Sequence, residues 1–209
     1  MKEYKLPIGC DVPETIILAD GDFPSHPLAL EWLRQCPYVV CCDGAANTYI
    51  RSGRMPEAIV GDGDSLLPGI KERYASLIHS ETEQETNDLS KAFRFCLSQE
   101  RKRITIMGAT GKREDHTIGN VSLLADYMEQ AEVSMMTDYG IFVPIREDSM
   151  FESYIGQQIS VFNMNSTALS AEGLAYPLSV FTNWWQGTLN EALARHFIIR
   201  TEGKVLVFR

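Results

Sequence analysis

Short apolar runs alternate with stretches of helical spacing over the first 137 residues of the chain. A short continuous apolar run bounded by turn residues is typical of a strand buried on both faces, whereas apolar residues three and four positions apart indicate a helix. The predicted strands cover residues 15–19, 38–42, 58–60, 77–79, 103–107 and 132–136, and the predicted helices cover 27–35, 45–51, 70–74, a stretch beginning near residue 88, and 117–128. This alternation predicts a parallel sheet with helices on both faces.

The pattern changes after Asp138-Tyr139-Gly140. The later apolar runs are short, and turn signals such as Glu172-Gly173 and Glu202-Gly203 separate them. We predict strands at 141–145, 158–164, 178–182, 197–199 and 205–208, and one or two helical turns at 189–195. The predicted fold class is therefore α/β, with an N-terminal Rossmann-like three-layer domain built on a parallel sheet over residues 1–137, followed by a small all-β sandwich domain over residues 138–209.

Acidic and glycine-rich clusters follow four of the predicted parallel strands. They are Asp20–Asp22, Asp43–Asn47, Gly61–Ser65 and Gly108–Asp115. Ligands of open parallel sheets bind beyond the carboxyl ends of the strands, where such loops meet. We therefore expect these four loops to converge on one rim and to form the functional site.

The pentapeptide Gly61-Asp62-Gly63-Asp64-Ser65 places two carboxylates two positions apart. Carboxylates this close repel each other, and Mg²⁺ removes the conflict because it accepts one or two carboxylates and completes its shell with water and phosphate oxygens. The same pentapeptide, taken alone, also fits a solvated acidic turn. Asp88, in the first turn of a predicted helix, completes a candidate metal site with Asp62 and Asp64.

Three cations are placed to bind a phosphate. Lys91 lies one helical turn after Asp88, and Lys112 and Arg113 follow the loop Gly108–Gly111. That loop precedes a predicted helix, whose free N–H groups and dipole attract an anion. It is neither a Walker A loop nor a Gly-x-Gly-x-x-Gly motif.

Composition and charge narrow the class of protein. The chain has 209 residues, a formal net charge of −9 and a sequence pI of about 5.0, which disfavours binding to a nucleic-acid backbone. No apolar run approaches the length that spans a bilayer, and the charged N-terminal residues do not resemble a signal peptide. Five unevenly spaced cysteines argue against a disulfide framework. We therefore expect a cytoplasmic protein without a nucleic-acid or membrane partner.

The ordered motifs resemble those of the thiamine pyrophosphokinase family. Six stretches match in order: Asp43-Gly44-Ala45-Ala46-Asn47, Gly61-Asp62-Gly63-Asp64-Ser65, Gln84 to Lys91, Gly108 to Asn120, Gly173 to Leu178, and Gly187-Thr188-Leu189-Asn190-Glu191. The resemblance implies Mg²⁺-dependent transfer of the β,γ-diphosphate of ATP to the hydroxyl of thiamine, with AMP as the second product. It also implies a homodimer, and we expect the active sites to be shared between its subunits.

The resemblance also implies roles for individual residues. Asp62, Asp64 and Asp88 would hold the metal, and together with Lys91 they form the predicted catalytic set. The predicted ATP-binding residues are Asp43, Gly44, Asn47, Gln84, Lys91, Gly108, Thr110, Gly111 and Arg113. The predicted thiamine-binding residues are Asp115, Ser170, Tyr176 and Asn190.

The sequence is also compatible with two functions other than that of a thiamine pyrophosphokinase. The chain could transfer diphosphate to another heteroaromatic alcohol, or it could sense a nucleotide or thiamine without turnover. Gly63 and Leu189 also depart from the family pattern, which usually carries a bulkier apolar residue and a serine at these places.

Overall fold

The computed structural model describes residues 1–81, 83 and 85–209. The chain forms two compact units. The α/β unit comprises residues 9–139, and the β unit comprises residues 1–8 together with 140–209. Each unit is described by itself below.

The elements of secondary structure follow one another in chain order. They are β1 Lys2–Tyr4, β2 Thr15–Leu18, α1 Pro27–Gln35, β3 Val39–Cys42, α2 Ala45–Arg51, β4 Ala58–Gly61, α3 Pro68–Arg73, β5 Ile78–Ser80, α4 Asp88–Ser98, β6 Arg103–Met107, α5 Glu114–Tyr127, β7 Glu132–Thr137, β8 Gly140–Ile145, β9 Ser149–Glu152, β10 Gln158–Asn163, β11 Leu169–Glu172, β12 Asn190–Glu191, β13 His196–Thr201 and β14 Val205–Phe208. Short 3₁₀ helices occupy Ala75–Leu77 and Trp184–Gly187.

The α/β unit is built on a parallel sheet. Its strands lie in the order β7-β6-β2-β3-β4-β5, and all the pairs between them are parallel. The central strand β2 is buried along its whole length, with Ile16, Ile17 and Leu18 fully inaccessible. A strand buried on both faces needs the continuous apolar run that its sequence shows. The predicted sheet is confirmed, and the loops after β2, β3, β4 and β6 share one rim.

Two helices, α4 and α5, begin near that rim. The Asn87 side chain accepts a hydrogen bond of 2.9 Å from the Ser90 N–H, which caps α4. Helix α5 begins at Glu114, earlier than the prediction of Thr117. The acidic residues Glu114 and Asp115 read as loop residues in the sequence, yet they are favourable in a first turn because they face the positive end of the helix dipole.

The β unit contains two sheets. One has the strand order β1-β9-β13-β11, and the other has the order β12-β10-β14-β8. The second sheet is antiparallel throughout, with Val207 opposite both Val143 and Val161. In the first sheet the Phe151 ring stacks between Tyr4 and Phe197, with ring centroids 4.8 Å and 5.0 Å apart. The predicted fold class, α/β followed by a small β sandwich, is confirmed.

The structure corrects the boundary between the predicted domains. Residues 1–8 belong to the β unit, because β1 pairs in parallel with β9, Lys2 lying opposite Ser149. The prediction assigned residues 1–137 to the first domain. A strand of three residues whose partner lies far along the chain leaves no periodic signal in the sequence.

Two predicted elements of the β unit are absent from its described residues. Residues 178–182 are irregular rather than a strand: Leu178 is buried, but Val180 is exposed. The carbonyl of Phe181 accepts a hydrogen bond from the Asn163 side chain at 3.3 Å, so this segment is held by a side chain instead of a ladder. Residues 189–195 contain β12 rather than a helix, and β9 and β11 were not predicted.

Among the described residues, no helix combines the length and the apolar character that crossing a bilayer requires.

Candidate functional site

Four loops meet at the carboxyl-end rim of the parallel sheet, as predicted. The loop after β2 is joined to the loop after β6, since Gly21 N donates to Gly108 O at 2.6 Å and Asp22 N donates to Thr110 O at 2.8 Å. The loop after β3 is joined to the loop after β4 by a bond of 3.1 Å from Ser65 N to Asp43 Oδ2. Together they surround a cavity of about 480 Å³.

Glycines stand where these loops approach most closely. A Cβ atom at Gly21 would lie 2.3 Å from the Thr110 carbonyl oxygen, and one at Gly44 would lie 2.6 Å from Asp20 Oδ2. Backbone atoms leave no room for a side chain at Gly21, whereas a side chain at Gly44 would have to displace the Asp20 carboxylate. The glycines of the sequence motifs therefore set the spacing of the loops.

The cavity is lined by many charged side chains, and its carboxylates outnumber its cations. The carboxylates are Asp20, Asp43, Asp62, Asp64 and Asp88, and the cations are Lys91, Lys112 and Arg113, with His116 beside them. An anionic ligand alone would be repelled by this excess of carboxylates. A phosphate accompanied by a hard cation suits the cavity better.

Three of these carboxylates form the carboxylate cluster, which we define as Asp43, Asp62 and Asp64. One oxygen from each lies within 4.8 Å of the others. The backbone holds the cluster in place, because Asp64 N donates to Asp62 Oδ1 at 3.1 Å. Asp43 directly follows β3, and Asp62 directly follows β4. These two strands are neighbours in the sheet.

Asp43 is the buried member of the cluster. Its relative exposure is 3%, and its φ of 32° lies in the left-handed region that few residues other than glycine adopt. Its Oδ1 atom is buried and has no hydrogen-bond partner. Burial, above all, raises the pKa of the Asp43 carboxyl, and the nearby charge of Asp88 acts in the same direction.

The carboxylate cluster fits Mg²⁺. An unpartnered buried carboxylate oxygen beside two further carboxylates is costly without a cation, and oxygen ligands are what Mg²⁺ prefers. The sequence analysis placed Asp43 with the nucleotide rather than with the metal. Its position directly after a strand, like that of Asp62, is the sequence signal for its place in the carboxylate cluster.

Asp88 was predicted as a metal ligand, and it forms an ion pair with Lys91. Lys91 Nζ donates to Asp88 Oδ1 at 3.1 Å. Asp88 still faces the cluster, because a Cβ atom at Gly61 would lie 2.8 Å from Asp43 Cβ and 3.4 Å from Asp88 Oδ1. Its role as a ligand stays a prediction.

Lys91 is a buried cation. Its side chain is only 3% exposed. Burial alone would lower the pKa of its ammonium, but the hydrogen bond to Asp88 and the charges of Asp88 and Asp62 raise this pKa overall. Lys91 therefore stays protonated and presents a fixed positive charge to the cavity.

Two further cations follow the Gly108–Gly111 loop, and each pairs with a carboxylate. Lys112 Nζ lies 3.1 Å from Asp20 Oδ1. Arg113 binds Asp115 with both of its recorded donors, Nε to Oδ1 at 3.1 Å and a terminal nitrogen to Oδ2 at 2.6 Å. The hydrogen bond from Arg113 lowers the pKa of the Asp115 carboxyl to about 2.

Three predicted ATP-binding residues and one predicted thiamine-binding residue of the α/β unit do not line the cavity. Within the described part of the chain, the lining set lacks Asn47, Gly108 and Thr110, as well as Asp115. Asn47 fixes the loop after β4, donating to Ser65 O at 2.8 Å and accepting from Leu67 N at 2.9 Å. Gln84 lies outside the described residues.

Five lining residues belong to the predicted loops or motifs but had no individual role in the prediction. Asp20, Thr86, Asn87, His116 and Asn120 line the cavity. Asn120 donates to Ala109 O at 2.9 Å and accepts from Asn87 at 3.1 Å, so it joins the start of α4 to the loop after β6. Asn120 and His116 lie within the last matched motif of the α/β unit, which could have indicated them.

The predicted thiamine residues of the β unit form a separate group. Tyr176 is 65% exposed, and Asn190 is 4% exposed. The Asn190 amide binds the Tyr176 backbone on both sides, accepting from Tyr176 N at 3.0 Å and donating to Tyr176 O at 2.8 Å. Asn190 therefore holds the Tyr176 turn, residues 173–178, in place. Ser170 lies in β11 opposite Arg200 and is exposed.

The parallel sheet and its rim define the class of site: a cavity at strand ends that suits a phosphate bound together with a hard cation. Residues 29–136 match the family model described as the thiamin pyrophosphokinase catalytic domain, and residues 140–208 match that of the substrate-binding domain. The chain belongs to the thiamine pyrophosphokinase family.

Curated relatives with this name come from plants, animals and bacteria. Thiamine pyrophosphokinase 1 of Oryza sativa subsp. japonica is 30% identical over 129 residues, which are 50% of this chain and 49% of the relative. Thiamine pyrophosphokinase of Bacillus subtilis (strain 168) is 33% identical over 86 residues, 39% of this chain and 40% of the relative. The chain thus spans about half the length, or less, of the curated relatives it matches.

Solved structures show the same fold. The thiamin pyrophosphokinase from Candida albicans superposes with a TM-score of 0.80 at 18% identity, covering 99% of this chain and 92% of that one. The thiamine pyrophosphokinase from Bacillus subtilis superposes with a TM-score of 0.78 at 21% identity, covering 93% of this chain and 98% of that one.

Proposed function

We propose that this chain is a thiamine pyrophosphokinase, which transfers the β,γ-diphosphate of Mg–ATP to the hydroxyl of thiamine and releases AMP. Membership of the family supports this activity. The observation that carries it is the cavity itself, where the carboxylate cluster faces Lys91, Lys112 and Arg113. Phosphoryl transfer needs this pairing, because negative charge spreads over the phosphoryl oxygens in the transition state.

The cations of the cavity have distinct tasks in this proposal. Lys91, buried and bonded to Asp88, supplies a charge whose position is fixed before the substrate binds. Lys112 and Arg113 are about half exposed or more, and they follow the loop that leads into α5. The free N–H groups at the start of α5 would bind phosphate oxygens beside them. The predicted ATP-binding residues Gly108, Thr110 and Gly111 shape this loop, and Gly44 lies in the loop after β3.

The carboxylates act on the metal and on the attacking hydroxyl. Asp62 and Asp64 would hold Mg²⁺ together with Asp43 or Asp88, and the bound ion would neutralise charge on the transferred phosphates. Asp62 or Asp64 would also orient the thiamine hydroxyl for in-line attack and accept its proton. Asp43 is the less suitable group for that second task, because it is buried.

Recognition of thiamine is assigned to Asp115, Ser170, Tyr176 and Asn190. Thiamine is a flat cation, and an exposed aromatic ring with a nearby carboxylate attracts such a ligand. We extend the proposal to a homodimer with shared active sites, in which Tyr176 of one subunit faces Asp115 of the other. Its exposure leaves the Tyr176 ring accessible for that contact.

The surroundings of the protein are part of the proposal. The five cysteines are free thiols, as expected in a reducing compartment, and we place the protein in the cytoplasm. The net charge of −9 supports the absence of a nucleic-acid partner. The activities named for the relatives do not favour a sensor without turnover or a different alcohol substrate.

The test is a measurement of AMP release from ATP, with and without thiamine and with and without Mg²⁺. We expect AMP and thiamine diphosphate in equal amounts, and only when all components are present. AMP release that does not respond to thiamine would reject the proposed acceptor. Binding of ATP and thiamine without any product would instead support a sensor.

A further inference from the structure

Lys112 has a backbone conformation that is unfavourable for a residue with a side chain. Its φ is 55°, directly after Gly111 with a φ of 79°. Glycine adopts this left-handed region without strain, whereas other residues rarely occupy it unless the surroundings hold them there. Lysine at this position therefore carries a conformational cost that glycine would not have.

The Lys112 ammonium binds Asp20 through two hydrogen bonds. Nζ donates to the Asp20 backbone oxygen at 2.8 Å and to its Oδ1 at 3.1 Å. The two side chains are 53% and 48% exposed, and both residues line the cavity. An ion pair this exposed contributes little to stability, so another anion can replace the carboxylate at small cost.

The same cavity contains a second lysine–aspartate ion pair, between Lys91 and Asp88, whose lysine is buried. Its side chain is 3% exposed and lies one helical turn from its partner Asp88. Lys112, by contrast, lies just before α5, where the free N–H groups of a helix start attract an anion. A phosphate bound there would lie near the ammonium that Asp20 holds.

We propose that Asp20 competes with the nucleotide for Lys112: a phosphate of Mg–ATP takes the Lys112 ammonium from the Asp20 carboxylate. No covalent bond changes in this exchange. The inference rests on the proposed function, since it takes Mg–ATP as the ligand. This exchange makes ligand binding selective, because only a ligand with enough negative charge displaces the Asp20 carboxylate from Lys112. Asp20 would thus weaken the binding of less charged ligands at this place.

The experiment is a double-mutant cycle on Mg–ATP binding, measured by calorimetry without thiamine. Lys112→Gly removes the ammonium and relieves the left-handed strain, and we expect Kd to rise roughly 10-fold, the scale of one charge-assisted hydrogen bond. Asp20→Asn removes the competitor, and we expect Kd to fall about 3-fold, as for an exposed ion pair. In the Lys112→Gly background, Asp20→Asn should change Kd by much less, and Lys112→Arg alone should retain most of the affinity.

Glu14→Gln is the matched control. Glu14 accepts from Arg103 at 2.6 Å in another exposed ion pair, at the opposite end of β6 from the cavity. We expect this variant to leave Kd unchanged, and thermal unfolding checks that every variant is folded. A merely structural role for the Asp20–Lys112 pair predicts the opposite sign, since Asp20→Asn would then loosen the loops and weaken binding.

The outcomes separate this inference from the proposed function. A rise in Kd for Asp20→Asn, or an equal fall in Kd with and without Lys112, overturns the inference. The expected cycle combined with no thiamine-dependent release of AMP would reject the proposed function while the competition stands. A wild-type protein that does not bind Mg–ATP would overturn both.

Discussion

At the rim of the α/β unit, polar side chains from four loops bind one another, whereas in the β unit one buried amide holds an exposed aromatic residue. Among the described residues, five carboxylates and three cations line the cavity at this rim. The Tyr176 turn depends on Asn190 alone for the two side-chain bonds to the Tyr176 backbone. We therefore expect the rim to keep its fold when it loses one charge. We expect a change at Asn190 to weaken the Tyr176 turn, which then keeps only backbone bonds such as that from Ala175 N to Glu191 O at 2.9 Å.

The largest expected effect comes from the carboxylate cluster. Asp64→Asn should lower turnover by at least about 100-fold, the scale of one lost electrostatic contact to a transition state. Asp64 is exposed, so the free energy of unfolding should change little. Steady-state kinetics with a thermal unfolding control checks both expectations. Near-normal turnover in the folded variant would contradict the assignment of Asp64.

Tyr176→Ala tests the β unit without touching the rim. We expect the thiamine KM to rise roughly 3- to 30-fold, the range expected for a cation–π contact, and the ATP KM to stay unchanged. Tyr176→Phe is the matched control, since it keeps the ring.

Mixing Asp64→Asn protein with Tyr176→Ala protein should restore activity if subunits share sites. Verified subunit exchange without recovery would show that sites are not shared in this way.

Asn190→Ala tests whether the Tyr176 turn depends on one amide. The variant leaves the Tyr176 N–H and carbonyl without their side-chain partner, which should cost about 1–3 kcal/mol of unfolding free energy. The thiamine KM should rise in parallel, because Tyr176 loses its position. Asn190→Asp keeps an acceptor for the Tyr176 N–H and should give an intermediate result in denaturant unfolding. A higher KM with unchanged stability would instead indicate direct contact between Asn190 and thiamine.

The smallest effect concerns the exposed pair of Arg113 and Asp115. The hydrogen bond from Arg113 lowers the pKa of Asp115 to about 2, so this pair stabilises the fold above the ordinary carboxyl pKa and loses that effect as the pH falls toward 2. In Arg113→Ala the pKa of Asp115 should return toward about 3.9. A carboxyl-carbon NMR titration measures it. An unchanged pKa would show that the backbone, not Arg113, sets it.

The sheet of the α/β unit was predictable because its signal is local. Each buried strand is one continuous apolar run, and β6 has the predicted bounds, Arg103–Met107. The β unit was harder, because β1 pairs with a strand far along the chain and residues 178–182 are held by side-chain contacts. Pairing partners at such distances leave no periodic pattern.

In the candidate site, too, features that depend on local spacing were predicted, and features that depend on tertiary contacts were not. The Asp62–Asp64 spacing and the Asp88–Lys91 spacing are local and were read from the sequence. The place of Asp43 in the carboxylate cluster depends on a neighbouring strand, and Lys112 meets Asp20 across 92 positions. Both follow from tertiary contacts, which the motifs indicate only once the loops are known to meet.

The pairing of β1 with β9 has a consequence for how the chain folds during synthesis. All of residues 9–139 leave the ribosome after β1 and before its partner is made. The α/β unit, whose parallel strands all lie in that interval, can fold while β1 waits. Arg209 adds further contacts within the β unit, because it donates to the carbonyls of Glu152 and Lys5. We expect a folding intermediate with an ordered parallel sheet and an unformed β unit, detectable by pulsed hydrogen exchange.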